Sequence, residues 1–223
     1  MKNFILIILL ISFLFPEEFI YTLGFRFVNV GKATITSEVD ENNELTINTL
    51  VASSKFLDHL YKVRDEIKLI VNPNDYSLKA IEKKVHEGSW KKTYSAVIDS
   101  NLSIITKDKI TENDNLLFDP ISIIYNLRTQ DLKKGSKYDY HILGIDEIKA
   151  LTTEVKGKEK IKVPAGKFNC IKVVPYSKNG ENIFKENGYM TAWFSDDDKR
   201  IPVKIELKTN IGDMILKLKK VIP

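Results

Sequence analysis

The sequence predicts an all-β protein, mainly antiparallel, in which one wide curved sheet forms a barrel or half-barrel and carries one short helix at about 119-128. Three observations lead to this fold class. Apolar and polar residues alternate along most of the chain, as in strands that have one buried and one solvated face. Clusters of turn-forming residues separate these runs at short intervals, which is typical of hairpins. The runs number roughly ten to twelve, and open sheets seldom pass about ten strands without curling.

The first residues form a separate apolar segment. It runs from Phe4 to Phe15, is interrupted only by Ser12, and ends at Pro16. A membrane-spanning helix needs ~20 apolar residues, so the segment is too short to cross a bilayer and has the character of a secretory signal. We expect residues 1-16 to be a signal peptide or an N-terminal anchor, with a boundary that extends to about 22. Residues 19-223 are predicted to form a single β domain, since barrels and sandwiches commonly reach ~200–250 residues.

Composition narrows the class of partner. Thirty-four basic and thirty acidic residues give a net charge of +4, and this small, scattered excess does not predict a nucleic-acid partner. The single cysteine, Cys170, cannot form an internal disulfide. It lies in a strand-like run without a neighbouring His or Arg to lower its pKa, so we expect a partly buried, inert thiol.

The first half of the chain is predicted to be a series of hairpins. The run from Phe19 to Ile35 is strand-like, with Gly24 and Gly31 at bend or bulge positions. Residues 33–39 and 45–51 then alternate across the turn at 40–43, which predicts a meander. Further strands are predicted at about 61–71, 76–87, 90–99 and 102–106, followed by a polar loop at 107–115.

The predicted helix has a clear beginning. Asp119 is placed to cap it, and Pro120 takes the first helical position, where its missing N–H costs nothing. Ile121, Ile124 and Tyr125 share one face with Arg128. We therefore expect the three apolar residues of this face to pack against the sheet, with the helix plugging or covering one of its mouths.

The second half returns to alternating strands and ends in a hairpin followed by a last strand. Tyr189 to Ser195 and Ile201 to Leu207 flank a charged turn in which a carboxylate of the Asp196–Asp198 run is expected to brace Arg200. The final strand carries Lys217, Lys219 and Lys220, a pattern typical of the solvated face of an edge strand. The other predicted strands are residues 137–142, 147–155, 159–163 and 168–175.

Catalytic and metal-binding patterns are weak. His59, His86 and His141 stand in separate segments without ligand spacing. The Asp196–Asp198 run lacks the glycine and the distal glutamate of a calcium loop, and Ser195 lacks a nucleophile-elbow setting. We therefore expect no cofactor, no metal site and no enzymatic activity. An enzyme would need a polar cleft converging on charged residues, of which the candidates are Asp119, Arg128, Asp196 and Arg200.

Four stretches together resemble the bacterial envelope family known as domain of unknown function 3108, DUF3108. They are Gly24–Gly31, Phe118–Arg128, Val163–Cys170 and the run from Trp193 to Val203. The resemblance implies an exported protein of Gram-negative-type bacteria, periplasmic or membrane-associated in the cell envelope, and implies no established activity. The structural motif residues of these stretches are Asp119, Pro120, Tyr125, Arg128, Pro164, Gly166, Asp196, Arg200 and Pro202.

The end of the chain, residues 189–219, is also similar to the end of periplasmic lipoprotein carriers of the LolA type. A tryptophan strand, an acidic turn, an Arg-x-Pro-Val run and a glycine turn before a last strand carry this likeness. It implies a curved sheet that holds acyl chains in an apolar concavity. Similarity of fold does not establish function.

Two functions follow as hypotheses. In the first, the protein binds a lipid, an acyl chain or another apolar ligand inside the curved sheet, because so wide a sheet has more inner surface than one short helix can cover. In the second, the core is filled and the protein is a structural or assembly module that binds other envelope proteins. The aromatic residues predicted to bind the ligand are Phe25, Phe27, Trp90, Tyr94, Tyr138, Tyr140, Tyr189 and Trp193.

Overall fold

The computed structural model describes residues 17–25, 28–41, 43–145, 147–176, 189–209 and 212–223. The predicted signal peptide or anchor, residues 1-16, lies outside the described residues. The described chain forms fifteen strands in one sheet, one α-helix and a single short 3₁₀ turn, η1 (Leu57–His59). The predicted all-β class is therefore confirmed.

The elements follow one another closely along the chain. The helix is α1 (Pro120–Thr129), as predicted to within a residue at each end. The strands are β1 (Glu17–Phe25), β2 (Val28–Val39), β3 (Leu45–Ser53), β4 (Arg64–Val71), β5 (Leu78–Glu87), β6 (Trp90–Ile98), β7 (Ile104–Ile105), β8 (Ile110–Thr111), β9 (Leu117–Phe118), β10 (Lys137–Leu143), β11 (Ile148–Val163), β12 (Gly166–Tyr176), β13 (Tyr189–Ser195), β14 (Pro202–Thr209) and β15 (Gly212–Ile222).

The sheet consists of two meanders that meet at its centre. Strands β1 to β8, the first half, run outward to one edge, and strands β9 to β15, the second half, run inward from the other edge until β15 pairs with β1. Neighbouring strands are antiparallel except for the parallel pair β9–β10. Residues 112–116 connect the two edge strands, and so short a connection spans at most about 20 Å. The sheet must therefore curl until its edges approach, although β8 and β9 do not pair.

Three details differ from the sequence prediction. The strand count is higher because the two-residue strands β8 and β9 form the two edges of the sheet, and β8 lies inside the predicted polar loop. The two strands predicted on either side of Gly157 are one long strand, since Gly157 has a φ of +128° and absorbs a register shift. The last strand is not an edge strand, because β15 has partners on both sides.

The helix lies inside the curl and joins two apolar clusters. Ile123, Ile124 and Leu127 pack with inner side chains of β10 to β14. Tyr125 packs with a cluster in which inner side chains of β1 to β7 predominate. The predicted packing of Ile121, Ile124 and Tyr125 against apolar surface is confirmed. Burial extends beyond that face, because all residues from Ser122 to Leu127 are buried. A helix enclosed by a curled sheet has apolar neighbours on both sides rather than one.

Candidate functional site

The start of α1 is fixed by its own cap. Asp119 has an extended backbone, and its Oδ1 accepts a hydrogen bond of 2.9 Å from the Ile121 N–H. The Asp119 N–H donates in return to Ser122 Oγ at 3.0 Å. Pro120 occupies the first helical position. The predicted cap is thus confirmed, and the reciprocal bonds satisfy backbone donors that a helix start would leave unpaired.

A buried ion pair connects this cap to the first half of the sheet. Lys83 Nζ lies 2.8 Å from Asp119 Oδ2, with the two side chains 16% and 2% exposed. Lys83 lies on the inner face of β5, two residues from the fully buried Ile81. An ammonium in an apolar interior is costly without a partner. The pair therefore ties the beginning of α1 to β5.

A second ion pair holds the other end of the helix. Arg128 donates to both carboxylate oxygens of Glu17, at 2.7 and 3.0 Å. Its guanidinium also stacks 5.2 Å from the ring centroids of Phe19 and Tyr125. Burial raises the pKa of Tyr125 to about 12, although the Ser37 hydroxyl and Arg128 oppose the rise. The Tyr125 phenol is therefore neutral at physiological pH.

Apolar side chains that are only partly buried surround the Lys83–Asp119 pair. Ile67 and Tyr94 lie directly beside Lys83 on the two neighbouring strands. Ile121, in the first turn of the helix, is also partly buried and packs against both clusters. We call the following set the interior lining: Val51, Ile67, Tyr94, Ile121 and Leu216.

The aromatic residues predicted to bind a ligand do not converge. Tyr94 belongs to the interior lining. Phe25 ends β1, and Trp90 is half exposed at the start of β6. Phe27 lies outside the described residues, and of Tyr189 only the backbone is described.

The remaining predicted aromatics serve packing. Tyr138 and Tyr140 lie on β10 against the second cluster, and the Tyr140 hydroxyl donates to Asn126 Oδ1 at 2.7 Å. Trp193 is buried in the first cluster, whereas its neighbours Ala192 and Phe194 belong to the second. Trp193 donates to Glu159, and Lys204 Nζ lies 4.1 Å above its ring.

The other motif residues brace turns. Asp196 pairs with Arg200 at 3.5 Å, as predicted, and with Lys158 at 2.6 Å. The hydrogen bond from Lys158, reinforced by Arg200, lowers the pKa of Asp196. Gly166 ends the turn that begins at Pro164 and has a φ of +137°. The N–H of Ala165, the middle residue of this turn, donates a hydrogen bond to the Leu218 carbonyl.

Each charged residue considered for an enzymatic cleft thus has its own partner. Asp119 pairs with Lys83, Arg128 pairs with Glu17, and Asp196 pairs with Lys158 and Arg200. The Pro202 carbonyl likewise accepts a hydrogen bond of 2.8 Å from the Tyr21 hydroxyl. These arrangements connect elements of the fold to one another.

No group of three or more His, Cys, Asp or Glu residues in the described part of the chain is arranged to hold a metal ion. None of the helices among the described residues combines the length and the apolar character that crossing a bilayer requires.

Sequence reasoning missed Lys83, Glu17 and most of the interior lining. A signal for Lys83 exists in the sequence, since a lysine stands in register with Ile81 and Val85 on the apolar face of a predicted strand. Nothing local indicates Glu17 as the partner of Arg128, because 111 positions separate the two residues along the chain.

Solved structures support the fold. A beta-barrel-like protein of domain of unknown function DUF1849 from Brucella abortus superposes with a TM-score of 0.61 at 11% identity, covering 92% of this chain and 96% of that one. A DUF1089 family protein from Pseudomonas aeruginosa gives a TM-score of 0.34 at 10% identity, covering 82% and 87%. A protein from Parabacteroides distasonis, provisionally described as a lipoprotein, gives 0.33 at 15% identity, covering 93% and 95%.

Because the other two TM-scores are below 0.5, only the similarity to the Brucella protein bears on this chain, and at 11% identity it supports the fold alone. No curated protein matches the sequence. A family model described as "Protein of unknown function (DUF3108)" matches residues 20–219. That match extends over nearly all of the chain and includes the four stretches whose resemblance was noted above. The chain belongs to the DUF3108 family.

Proposed function

We propose that this protein is a non-enzymatic protein of the bacterial cell envelope, exported to the periplasm or held at a membrane, that binds an apolar or amphipathic ligand such as an acyl chain. The ligand lies between the helix and the inner face of the first half of the sheet. The observation that carries the proposal is the interior lining, whose five apolar side chains pack against the first cluster and yet remain partly exposed.

The chemistry of the interior lining suits an acyl chain that carries a polar head group. Covering about 200 Å² of apolar surface contributes roughly 5 kcal/mol before the cost of association is subtracted, so a polar contact at the head of the ligand adds affinity that the apolar contact needs. An ammonium carries three N–H donors, so Lys83 can hold Asp119 and a ligand carboxylate at the same time. A fatty acid satisfies both requirements.

A pair of neighbouring substitutions tests the proposal. Val51 faces the interior, whereas Leu50, the residue before it, is exposed on the outer face of β3. We expect Val51→Trp to fill the space beside the lining and to weaken uptake of a fluorescent fatty acid roughly tenfold, equivalent to about 1.4 kcal/mol. Leu50→Trp, the matched control, should bind as the wild type does.

The wild-type protein provides a second test, whose failure would refute the proposal. Purified from its native envelope, it should carry an acyl lipid that mass spectrometry detects after extraction. If no lipid is found and the wild-type protein does not take up the fatty acid, the proposal is wrong. Equal loss in the two tryptophan variants would point to binding on the outer surface instead.

A second function, an assembly module for other envelope proteins, is supported by the free edge at β8. Val97, Ile105 and Ile110 lie opposite one another on neighbouring strands, and all three are exposed. An apolar row beside an edge with unpaired backbone groups suits a partner that adds a strand. A photo-crosslinker placed at position 110 in cells should then give a discrete protein adduct, and its absence would exclude this partner.

A further inference from the structure

Four large apolar side chains are exposed at the end of the molecule formed by the β3–β4 loop and the β5–β6 hairpin. Phe56 is 81% exposed and Leu60 is 79% exposed, while Tyr61 and Trp90 are each about half exposed. Contiguous exposed apolar groups on a soluble domain mark an interaction site more often than chance. We call these four residues the apolar tip.

The two segments that carry the apolar tip form one surface. The Gly88 N–H donates a hydrogen bond to the Lys62 carbonyl at 2.8 Å, and the backbone of Val63 forms an isolated antiparallel β-bridge with that of Glu87. The Tyr61 ring lies so close over Gly88 that a Cβ atom there would stand 2.6 Å from the ring. The loop therefore rests directly on the turn of the hairpin that leads into Trp90.

The exposure of the tip is built into the fold. Asp58, in the middle of the loop, receives hydrogen bonds of 3.0 and 2.5 Å from Arg64 and one of 2.5 Å from Ser53. Ser53 Oγ also accepts the Val63 N–H at 2.8 Å. These bonds fix both ends of the loop to β3 and β4. Phe56 and Leu60 are consequently held outward by a hydrogen-bonded turn.

Basic side chains adjoin the apolar tip. A groove of about 340 Å³ opens beside the loop, on strands β4 to β6. Its charged and titratable lining residues are Arg64, Lys84, His86, Lys91, Lys92 and Glu66. Glu66 pairs with Lys84 at 3.8 Å. Lys55 and Lys62, both exposed, add positive charge to the loop itself.

We propose that this end of the protein docks on a bilayer that contains anionic phospholipid. Phe56 and Leu60 enter the boundary of the acyl chains, Tyr61 and Trp90 lie at the level of the headgroups, and the basic groove receives phosphate groups. Aromatic residues and lysines are the side chains favoured at a membrane interface. Protein–protein interfaces, by contrast, are depleted in lysine. The docking stands independently of any ligand in the interior.

Vesicle flotation with the full-length chain tests this inference. The wild-type protein should bind vesicles of phosphatidylglycerol and phosphatidylcholine, bind phosphatidylcholine vesicles only weakly, and lose affinity as salt is raised. The double variant Phe56→Ser/Leu60→Ser should bind the anionic vesicles at least about tenfold more weakly. A control variant, Leu116→Ser/Ile148→Ser, removes two exposed apolar side chains elsewhere and should bind normally.

All of these variants retain the N-terminal apolar segment, so any contribution from that segment cancels. Substitutions of exposed residues rarely affect folding, and circular dichroism verifies that the variants are folded. Equal binding by the two double variants would overturn the inference, as would equal binding to neutral and anionic vesicles. Binding that inorganic phosphate abolishes, and that survives the loss of Phe56 and Leu60, would indicate a soluble anion instead of a bilayer.

Discussion

Removing the Asp119 carboxylate is the sharpest test of how the helix is held. Asp119 caps α1 and also neutralises Lys83 inside the sheet. Asp119→Ala therefore removes a helix cap and leaves a lysine without its partner in an apolar interior. The two losses occur together in one substitution, and their sizes can be worked out separately.

Loss of the cap costs about 1 kcal/mol. Removing one partner of a fully buried ion pair costs about 3–5 kcal/mol, but Lys83 keeps 16% of its side chain exposed and can turn toward water, which reduces this figure to about 2–3 kcal/mol. We therefore expect Asp119→Ala to lower the free energy of unfolding by about 3–4 kcal/mol. Asp119→Asn keeps a cap acceptor and should cost about 1 kcal/mol less.

Urea denaturation followed by circular dichroism measures these differences. The double variant Lys83→Met/Asp119→Asn removes both charges, so its cost should be smaller than the sum of the single costs by at least about 1 kcal/mol. Strict additivity of the two single substitutions would refute an energetic coupling between the residues. If Asp119→Ala lowers the free energy of unfolding by less than about 1 kcal/mol, loss of the helix cap accounts for the whole effect and the ion pair contributes nothing.

Three further outcomes follow from the same structure. Arg128→Lys keeps the charge but loses the bidentate contact with Glu17 and the planar stacking, so it should cost about 1–2 kcal/mol in thermal unfolding; an unchanged midpoint would contradict this. Burial raises the pKa of the Cys170 thiol to about 11, so a thiol reagent at pH 8 should label it only after unfolding, and rapid labelling of the folded protein would show the site to be open. Burial also raises the pKa of Asp65 above 3.8, so stability is lost as pH rises through the interval between the unfolded and folded pKa values. Asp65→Asn should be the more stable protein at pH 7 and show a flatter pH profile, and a profile identical to wild type would count against this assignment.

The elements of the fold are predictable from the sequence because their signals are local. Alternation identifies the strands, and Asp119 followed by Pro120 identifies the start of the helix. The short edge strands are not predictable in this way, since two residues such as Ile110 and Thr111 cannot show a period. Nor does any local pattern reveal that residues 112–116 pass from one edge of the sheet to the other.

The candidate site was harder to predict because alternation says which residues share a face but not which face is enclosed. Trp193 illustrates this. Its strand is amphipathic and aromatic, and its ring is buried in the first cluster although Lys204 lies over it. A lysine stem shields an indole much as an apolar neighbour would. Lys83 presents the converse case, a charged residue that is tolerated inside because Asp119 reaches it from a distant part of the chain.

The helix is held by different chemistry on its two sides, and this explains where the interior lining lies. Toward the second half it packs through Ile123, Ile124 and Leu127, leaving a cavity of only about 10 Å³. Toward the first half the ion pairs at both of its ends are directional and set a separation from β1 and β5. Apolar packing alone would draw the helix onto those strands until no surface remained exposed. The side on which charged groups fix the spacing is the side that carries Val51, Ile67 and Tyr94, whereas on the packed side the partly buried residues are Met190 and Tyr138.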